Sequence, residues 1–511
     1  MRKLFLLLWI AAAPAGWWNE APAREGSKAD REAAKQGGET IVSDDAAAID
    51  EMLAEMTGQK YWYGIYMQGH KIGYANIEEK DLRKSVPSVV EVTMSLVMEA
   101  KSENKTLRMQ TTNREVYEGA PPYRLRSAVE ETRQQGEVER ISITRSPRGK
   151  KYSARIVQGG TTRSQKFNLD YTLLQFLREY RWLRSSPSVG DTLETKSLDM
   201  LRLRTMRDKL VIKEKKTGLF DGVETTYYVI SATDEDGFTM ENLVLADGTL
   251  VKFSMGEVVE ARLEPEKVAK KLDAPRDLFV DNLVPVEGVI DNPSRIKRMV
   301  IEVDSSLGEV LGNASGQRVL AEPKTRTCRV MVTSDNARDV KVTKETRKKG
   351  LEASVEIPTT HPKVIALAAK AVGDAETRRE KVNRLVRFVD KYVIDSYTAE
   401  PLTVLDTIKR RRGDCTEHSA LFATLSRSLG IPTRIVDGLI YGELGSPSFG
   451  GHTWNEVELD GYWVPVDSTW NETTTNATHI RFPIEMDANM QAFSRLPKAR
   501  IKVIALTKGK K

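Results

Sequence analysis

Beyond residue 60 the chain alternates between apolar and polar positions. In SVVEVTMSLVMEA, Val90, Val92, Met94, Leu96 and Met98 take every second place, the period of a strand with one buried face. YWYGIYMQ and KIGYANIE flank Gly69-His70 as a hairpin would. YRLRSAVEET, VERISITRS, KYSARIVQ, TTYYVISATD, FTMENLVLAD and TLVKFSMGE repeat the strand pattern. One stretch, LDYTLLQFLREYRWL, breaks it with Leu173, Leu174, Leu177 and Tyr180 at helical spacing. Residues 60–275 are expected to form one antiparallel β domain, a curved sheet or partly open barrel. RIKRMVIEVDS, TRTCRVMVTS and GLEASVEIP extend the alternation and suggest a small β-sandwich-like domain over 276–358.

After His361-Pro362 the period lengthens. In ETRREKVNRLVRFVDKYVIDSY, Val382, Leu385, Val386, Val389, Tyr392 and Val393 make one apolar stripe, which predicts an amphipathic helix. A second helix is expected to start after Glu400 with Pro401 in its first turn. It buries Leu402, Leu405 and Ile408 and ends in Lys409 to Arg412 before Gly413. The fold class is therefore α+β and multi-domain, with antiparallel β domains first and an α+β domain over 359–511.

The N-terminus follows neither period. Arg2 and Lys3 precede an apolar run from Leu4 to Ala13 and small-x-small sites ending at Ala15 or Ala23, the order of a secretory signal peptide over 1–23. The run is short for a span of about 20 residues. Residues 24–59 begin polar and small and are expected to be a flexible leader. The mature protein is thus expected to be exported, periplasmic or extracellular, with no stable membrane insertion. Across 511 residues, 78 Lys and Arg face 72 Asp and Glu without a basic block, which gives nucleic-acid binding no support.

Two cysteines are present. Cys328, in an alternating stretch, reads as a buried strand residue, and a disulfide to Cys415 is not expected. Cys415 follows Gly413-Asp414 and precedes a helix with Leu421, Phe422, Leu425 and Leu429 inward, so its thiol sits at a helix N-terminus. There the dipole and free N–H groups favour a thiolate and can hold an oxyanion. Of five histidines, His418 lies on the same helix and suits capping or packing. His452 is better placed. HTWNEVEL, Asp460-Gly461 and YWVPVDST read as a hairpin whose two-residue turn sets Trp454 opposite Asp467, leaving His452 and Asp467 diagonal neighbours on one face. Asp467 is then able to orient His452 while the imidazole takes the thiol proton.

GDCTEHSALFATLSRSLGIPTRIVDGLIY and GHTWNEVELDGYWVPVDSTWNETTTNATHI resemble the core of the transglutaminase-like superfamily of papain-type cysteine enzymes. The resemblance covers roughly 360–495. It implies a nucleophile at Cys415, a base at His452 and an orienting acid at Asp467. Tyr397, Trp454 and Trp463 are implied as substrate-side aromatics, and His479 as structural. The implied chemistry is acyl transfer from a peptide or protein amide through a thioester, more hydrolytic than cross-linking. Protein-glutamine transglutaminase and a non-catalytic peptide- or envelope-binding protein are the alternatives. No clustered acidic loop argues for calcium, and neither metal nor cofactor is expected.

Overall fold

The computed structural model describes residues 46–509 apart from breaks at 103–104, 135, 148–150, 159, 221, 236, 257, 276–281, 321–326, 335–338, 397–401, 444–446 and 485. The expected signal peptide lies outside these residues. A helix, α1 (Ala46–Met56), buries Ile49, Met52 and Leu53 in a core cluster. The leader expected over 24–59 therefore ends earlier, because three apolar residues at helical spacing find a sheet to cover.

Fourteen of the described strands form one antiparallel sheet. In chain order they are β1 (Lys60–Met67), β2 (His70–Leu82), β3 (Val89–Ser102), β4 (Lys105–Glu118), β5 (Leu125–Gln134), β6 (Glu137–Arg145), β7 (Lys151–Gln158), β8 (Thr161–Asn168), β9 (Thr192–Asp199), β10 (Arg204–Phe220), β11 (Val223–Asp234), β12 (Thr239–Leu245), β13 (Leu250–Met255) and β14 (Val259–Leu263). Each pairs with its chain neighbour, except that the chain crosses from β8 to β9 through the predicted helix, α2 (Leu174–Arg184), and β1 closes onto β14. Strands β8 and β9 stay as edges, so the sheet is an open, curved meander. It carries two cores, one around Ile65, Tyr228 and Phe253 and one around Tyr117, Ile143 and Tyr152.

A second sheet joins segments far apart in the chain. Its strands are β15 (Val284–Glu287), β16 (Ile296–Asp304), β17 (Gln317–Leu320), β18 (Thr327–Thr333), β19 (Thr433–Glu443), β20 (Pro447–Leu459), β21 (Tyr462–Val466), β22 (His479–Arg481) and β23 (Ile501–Lys508). Strand β16 pairs with β18 on one side and with β23 on the other, while β15 bridges β23 to β20. The separate sandwich expected over 276–358 is therefore not formed. Met299, Ile301 and Val330 share one core with Leu439, Phe449 and Ile480. Alternation marks a buried face but not the strand that covers it. GLEASVEIP is not a strand either. It is a strap whose Val355 enters the core of the first sheet while Ile357 packs on Ala423 and Ile435.

Helices cover the hairpin side of the second sheet: α3 (Pro362–Val372), α4 (Arg378–Tyr392), α5 (Val404–Arg410) and α6 (Cys415–Ser428). In α4 the stripe Val382, Leu385, Val386 and Val389 is buried as the spacing requires, behind a Thr377/Glu380 capping box. Helix α5 starts at the Thr403 cap, later than Pro401, because the Thr403 hydroxyl accepts the Asp406 N–H. Leu421, Phe422 and Leu425 of α6 are fully buried, and removing a ring such as Phe422 costs about 3–5 kcal/mol in a core. Among the described residues no helix is long and apolar enough to cross a membrane.

Candidate active site

Cys415 is the first residue of α6, and the helix starts there for a local reason. Asp414 caps it by accepting the Thr416 N–H at 2.8 Å, and Glu417 turns back to accept the Asp414 N–H at 2.8 Å and the Leu402 N–H at 3.0 Å. A side chain at Gly413 would collide with Glu417, so glycine is needed for this fold-back. Burial, then Asp414, pushes the Glu417 carboxyl well up.

The start of α6 is pinned to strand β20 through Thr453. Its N–H donates to the Cys415 sulfur, its carbonyl accepts from Ser419 Oγ at 2.9 Å, and its hydroxyl donates to Asp437 at 2.9 Å. Asn455 Nδ2 adds a bond to the Ser419 carbonyl at 3.1 Å. Asp437 is itself buried, which pushes its carboxyl up to about 7. The helix-start setting was expected to lower the affinity of Cys415 for its proton. Instead burial, then Asp414, Glu417 and Asp467, pushes this half-buried thiol well up, with only the Thr453 N–H acting the other way. Burial and three acids outweigh the single Thr453 N–H.

The β20–β21 hairpin turns at Asp460 and Gly461, both at positive φ (54° and 83°), as a type I′ turn demands. Its register runs from Leu459↔Tyr462 to Asn455↔Val466 and sets Trp454 level with Asp467. His452 Nε2 donates to Asp467 Oδ2 at 2.8 Å, which leaves Nδ1 as the basic nitrogen of the neutral ring. Asp467 is fully buried, and its Oδ1 accepts the Thr469 N–H at 2.8 Å. Burial alone would raise this carboxyl; the opposing pull of His452 and His479 is stronger and holds it well below the usual carboxylate range.

The imidazole of His452 lies between two indoles, stacked on Trp454 at 5.8 Å and on Trp470 at 4.5 Å. Trp454 is buried and walls the site from within, whereas Trp470 is 42% exposed and covers the ring from outside. A Cβ at Gly438 would collide with the Trp454 ring and the Ile480 carbonyl, so glycine sets that wall. The structure thus brings together Cys415, His452, Asp467 and Trp454. It does not bring Trp463, whose buried ring packs under the Arg434 guanidinium at 4.4 Å and against Gly350. Trp463 shares a strand face with Glu458, and its place at the far end of the hairpin takes it into packing. Tyr397 lies outside the described residues. Trp470, Thr453 and Asp437 escaped the sequence reading, since the loop holding Trp470 has no period and the other two act through backbone or burial.

His452, Asp467 and His479 place one nitrogen or oxygen each within 4.8 Å of one another, close enough to suggest a metal. Those atoms are already hydrogen-bonded to each other, so the cluster is complete as a proton-bearing network. Elsewhere a cavity of about 190 Å³ separates the first sheet from the α6 side, lined by Glu130, Glu356, Asp406, Thr416 and Ile435 among others.

Residues 365–468 match the transglutaminase-like superfamily, and the chain carries a domain of that family. An 82-residue stretch is 32% identical to mouse (Mus musculus) Kyphoscoliosis peptidase; it covers 15% of this chain and 12% of the mouse protein's length. Among solved structures, the periplasmic domain of TgpA from Pseudomonas aeruginosa, bound to ethylmercury, is 18% identical over 36% of this chain and 88% of that one, with a TM-score of 0.25. A β-barrel-like protein of a domain of unknown function from Brucella abortus is 10% identical over 40% of this chain and 94% of that one, with a TM-score of 0.30.

Proposed function

We propose that the chain is an exported cysteine enzyme that acts on peptide or protein amides through a thioester on Cys415, and that water is its usual acyl acceptor. The observation that supports this reading is the Thr453 contact with the Cys415 sulfur, made by the residue next in the chain to His452, which is itself held by Asp467. His452 Nδ1 takes the thiol proton as sulfur attacks the amide carbon. The imidazolium that forms is stabilised by Asp467 and returns the proton to the departing amine. The backbone donor proposed for the negative oxygen of the tetrahedral intermediate is the Cys415 N–H, since the Asp414 cap takes the N–H groups of Thr416 and Glu417.

Hydrolysis is favoured over cross-linking because Cys415 is half-buried and Trp470 is exposed, so water has access to the thioester. Cross-linking needs a passage that excludes water and admits an amine. The test is a partition: the enzyme is incubated with candidate peptides and a primary amine, and amine incorporation is compared with ammonia release and backbone cleavage. Hydrolytic products dominating at millimolar amine support the reading. Dominant incorporation makes the protein a cross-linking enzyme, and the absence of both with the native chain and Cys415→Ala alike leaves a binding protein.

A further inference from the structure

His452 and His479 both aim Nε2 at one atom, Asp467 Oδ2, at 2.8 and 3.2 Å. The thiol chemistry above uses the first ring and leaves the second unexplained. At its other nitrogen, Nδ1, His479 faces the main-chain carbonyl of Asn476 at 3.1 Å. A carboxylate and a carbonyl only accept. A neutral imidazole has one N–H, so one of these contacts would press a lone pair against an acceptor in a place where His479 is 4% exposed. A proton on Asp467 Oδ2 would satisfy His479 Nε2, but the pull of the two rings holds this carboxyl well below the usual carboxylate range and so ionised. Two indoles are close enough to report on the ring, Trp454 in a T-shaped contact at 5.1 Å and Trp470 at 6.2 Å.

We propose that His479 carries a proton on both ring nitrogens and is a positioning residue of this site, holding Asp467 ionised and aimed at His452 and thereby lowering the proton affinity of the Cys415–His452 pair. Its effect on chemistry rests on the roles proposed for Cys415 and His452; its charge does not. The other titratable and charged groups come from each neighbouring element. Glu472 holds Asn476 on the same loop, and Arg481 pairs with Glu456. Strand β19 brings Asp437, β20 brings His452 and Glu456, and α6 brings Cys415, Glu417 and His418. Arg295 and Lys297 flank Ile296, whose carbonyl accepts the Ala477 N–H.

Removing a cation makes every nearby group hold its proton more tightly. The two imidazole rings are 5.7 Å apart, and at an effective dielectric of about 20 this separation corresponds to a shift on the order of one to two pH units. The test is the rate of Cys415 alkylation by iodoacetamide against pH, read by peptide mass spectrometry, in the native chain and in His479→Gln, which keeps an N–H toward Asp467 but has no charge. An inflection moved to higher pH by about a unit or more is expected. An unmoved inflection, with or without a lower rate, overturns the proposal, since loss of packing alone does not shift it. Nitrogen-15 NMR of the histidines in the native chain decides independently, even where the variant fails to fold. One ring protonated on both nitrogens across roughly pH 5 to 8, with contacts to two indoles, supports the proposal. No such ring overturns it. Should native Cys415 not be alkylated at all, the catalytic reading fails while the NMR result still stands for His479.

Discussion

The main-chain N–H of Thr453 donates to the sulfur of Cys415, tying the first residue of α6 to the residue that follows His452. This bond favours a thiolate, yet burial and the acids Asp414, Glu417 and Asp467 act more strongly against one. The thiol is therefore expected to give up its proton mainly to His452, in step with attack, rather than to rest as a free thiolate.

Selective alkylation follows from exposure and from that base. Cys328 is 7% exposed, and burial pushes its thiol up, whereas Cys415 is half-buried. Iodoacetamide at neutral pH is expected to label Cys415 well before Cys328. Equal labelling would count against a reactive Cys415.

Replacing Asp467 with Asn keeps its shape and removes its charge. Turnover is expected to fall by about three to four orders of magnitude, as when the orienting acid of a triad is lost. The pH dependence of stability has a definite sign. A carboxyl whose folded-state proton affinity is depressed stabilises the native chain above the unfolded value near 4, and this contribution fades as pH falls below it. Asp467→Asn should thus be less stable than the native chain at neutral pH, and the gap should close in acid. A gap independent of pH, from urea titrations at several pH values, would show that the charge is not held by the two histidines.

The opposite sign applies in the cavity between the two sheets. Burial pushes Glu130 up to about 7 and Glu356 up to about 8. Each holds its proton more tightly when folded, so stability should decline as pH rises from about 4.3 toward those values. Glu356→Gln and Glu130→Gln are expected to raise the melting temperature at pH 8.5 and leave it little changed at pH 4.5. Equal effects at both pH values would place these carboxyls in water.

Two tryptophans separate site from packing. Trp470→Ala removes the exposed cover of the His452 ring and is expected to lower kcat/KM at least tenfold with little loss of stability. Trp463→Ala empties a buried position and is expected to cost about 3–5 kcal/mol, with kcat/KM of the folded protein kept. The reverse pattern would return Trp463 to the site.

These residues also mark what the sequence made legible. The strand period located most of the first sheet, and Asp460-Gly461 alone fixed the register that carries His452 toward Asp467. Trp463 was misplaced because a one-dimensional pattern says that a ring is buried, not beside what. The second sheet was hidden for the same reason: β16 meets β23 across some 200 residues, and no local period encodes that pairing. His479 looked structural because its hydrogen-bond partners, Asp467 and the Asn476 carbonyl, are set by how its loop folds back on the hairpin.

An acyl group carried by Cys415 is the step on which the proposed chemistry depends. The direct measurement is acid quenching of the enzyme during turnover of candidate peptides, followed by mass spectrometry of the peptide containing Cys415. The expected result is a mass increase equal to the acyl part of the substrate, on Cys415 alone, discharged by hydroxylamine and abolished together with turnover in Cys415→Ala. Turnover that persists in Cys415→Ala, or an acyl group found on another residue, would contradict it.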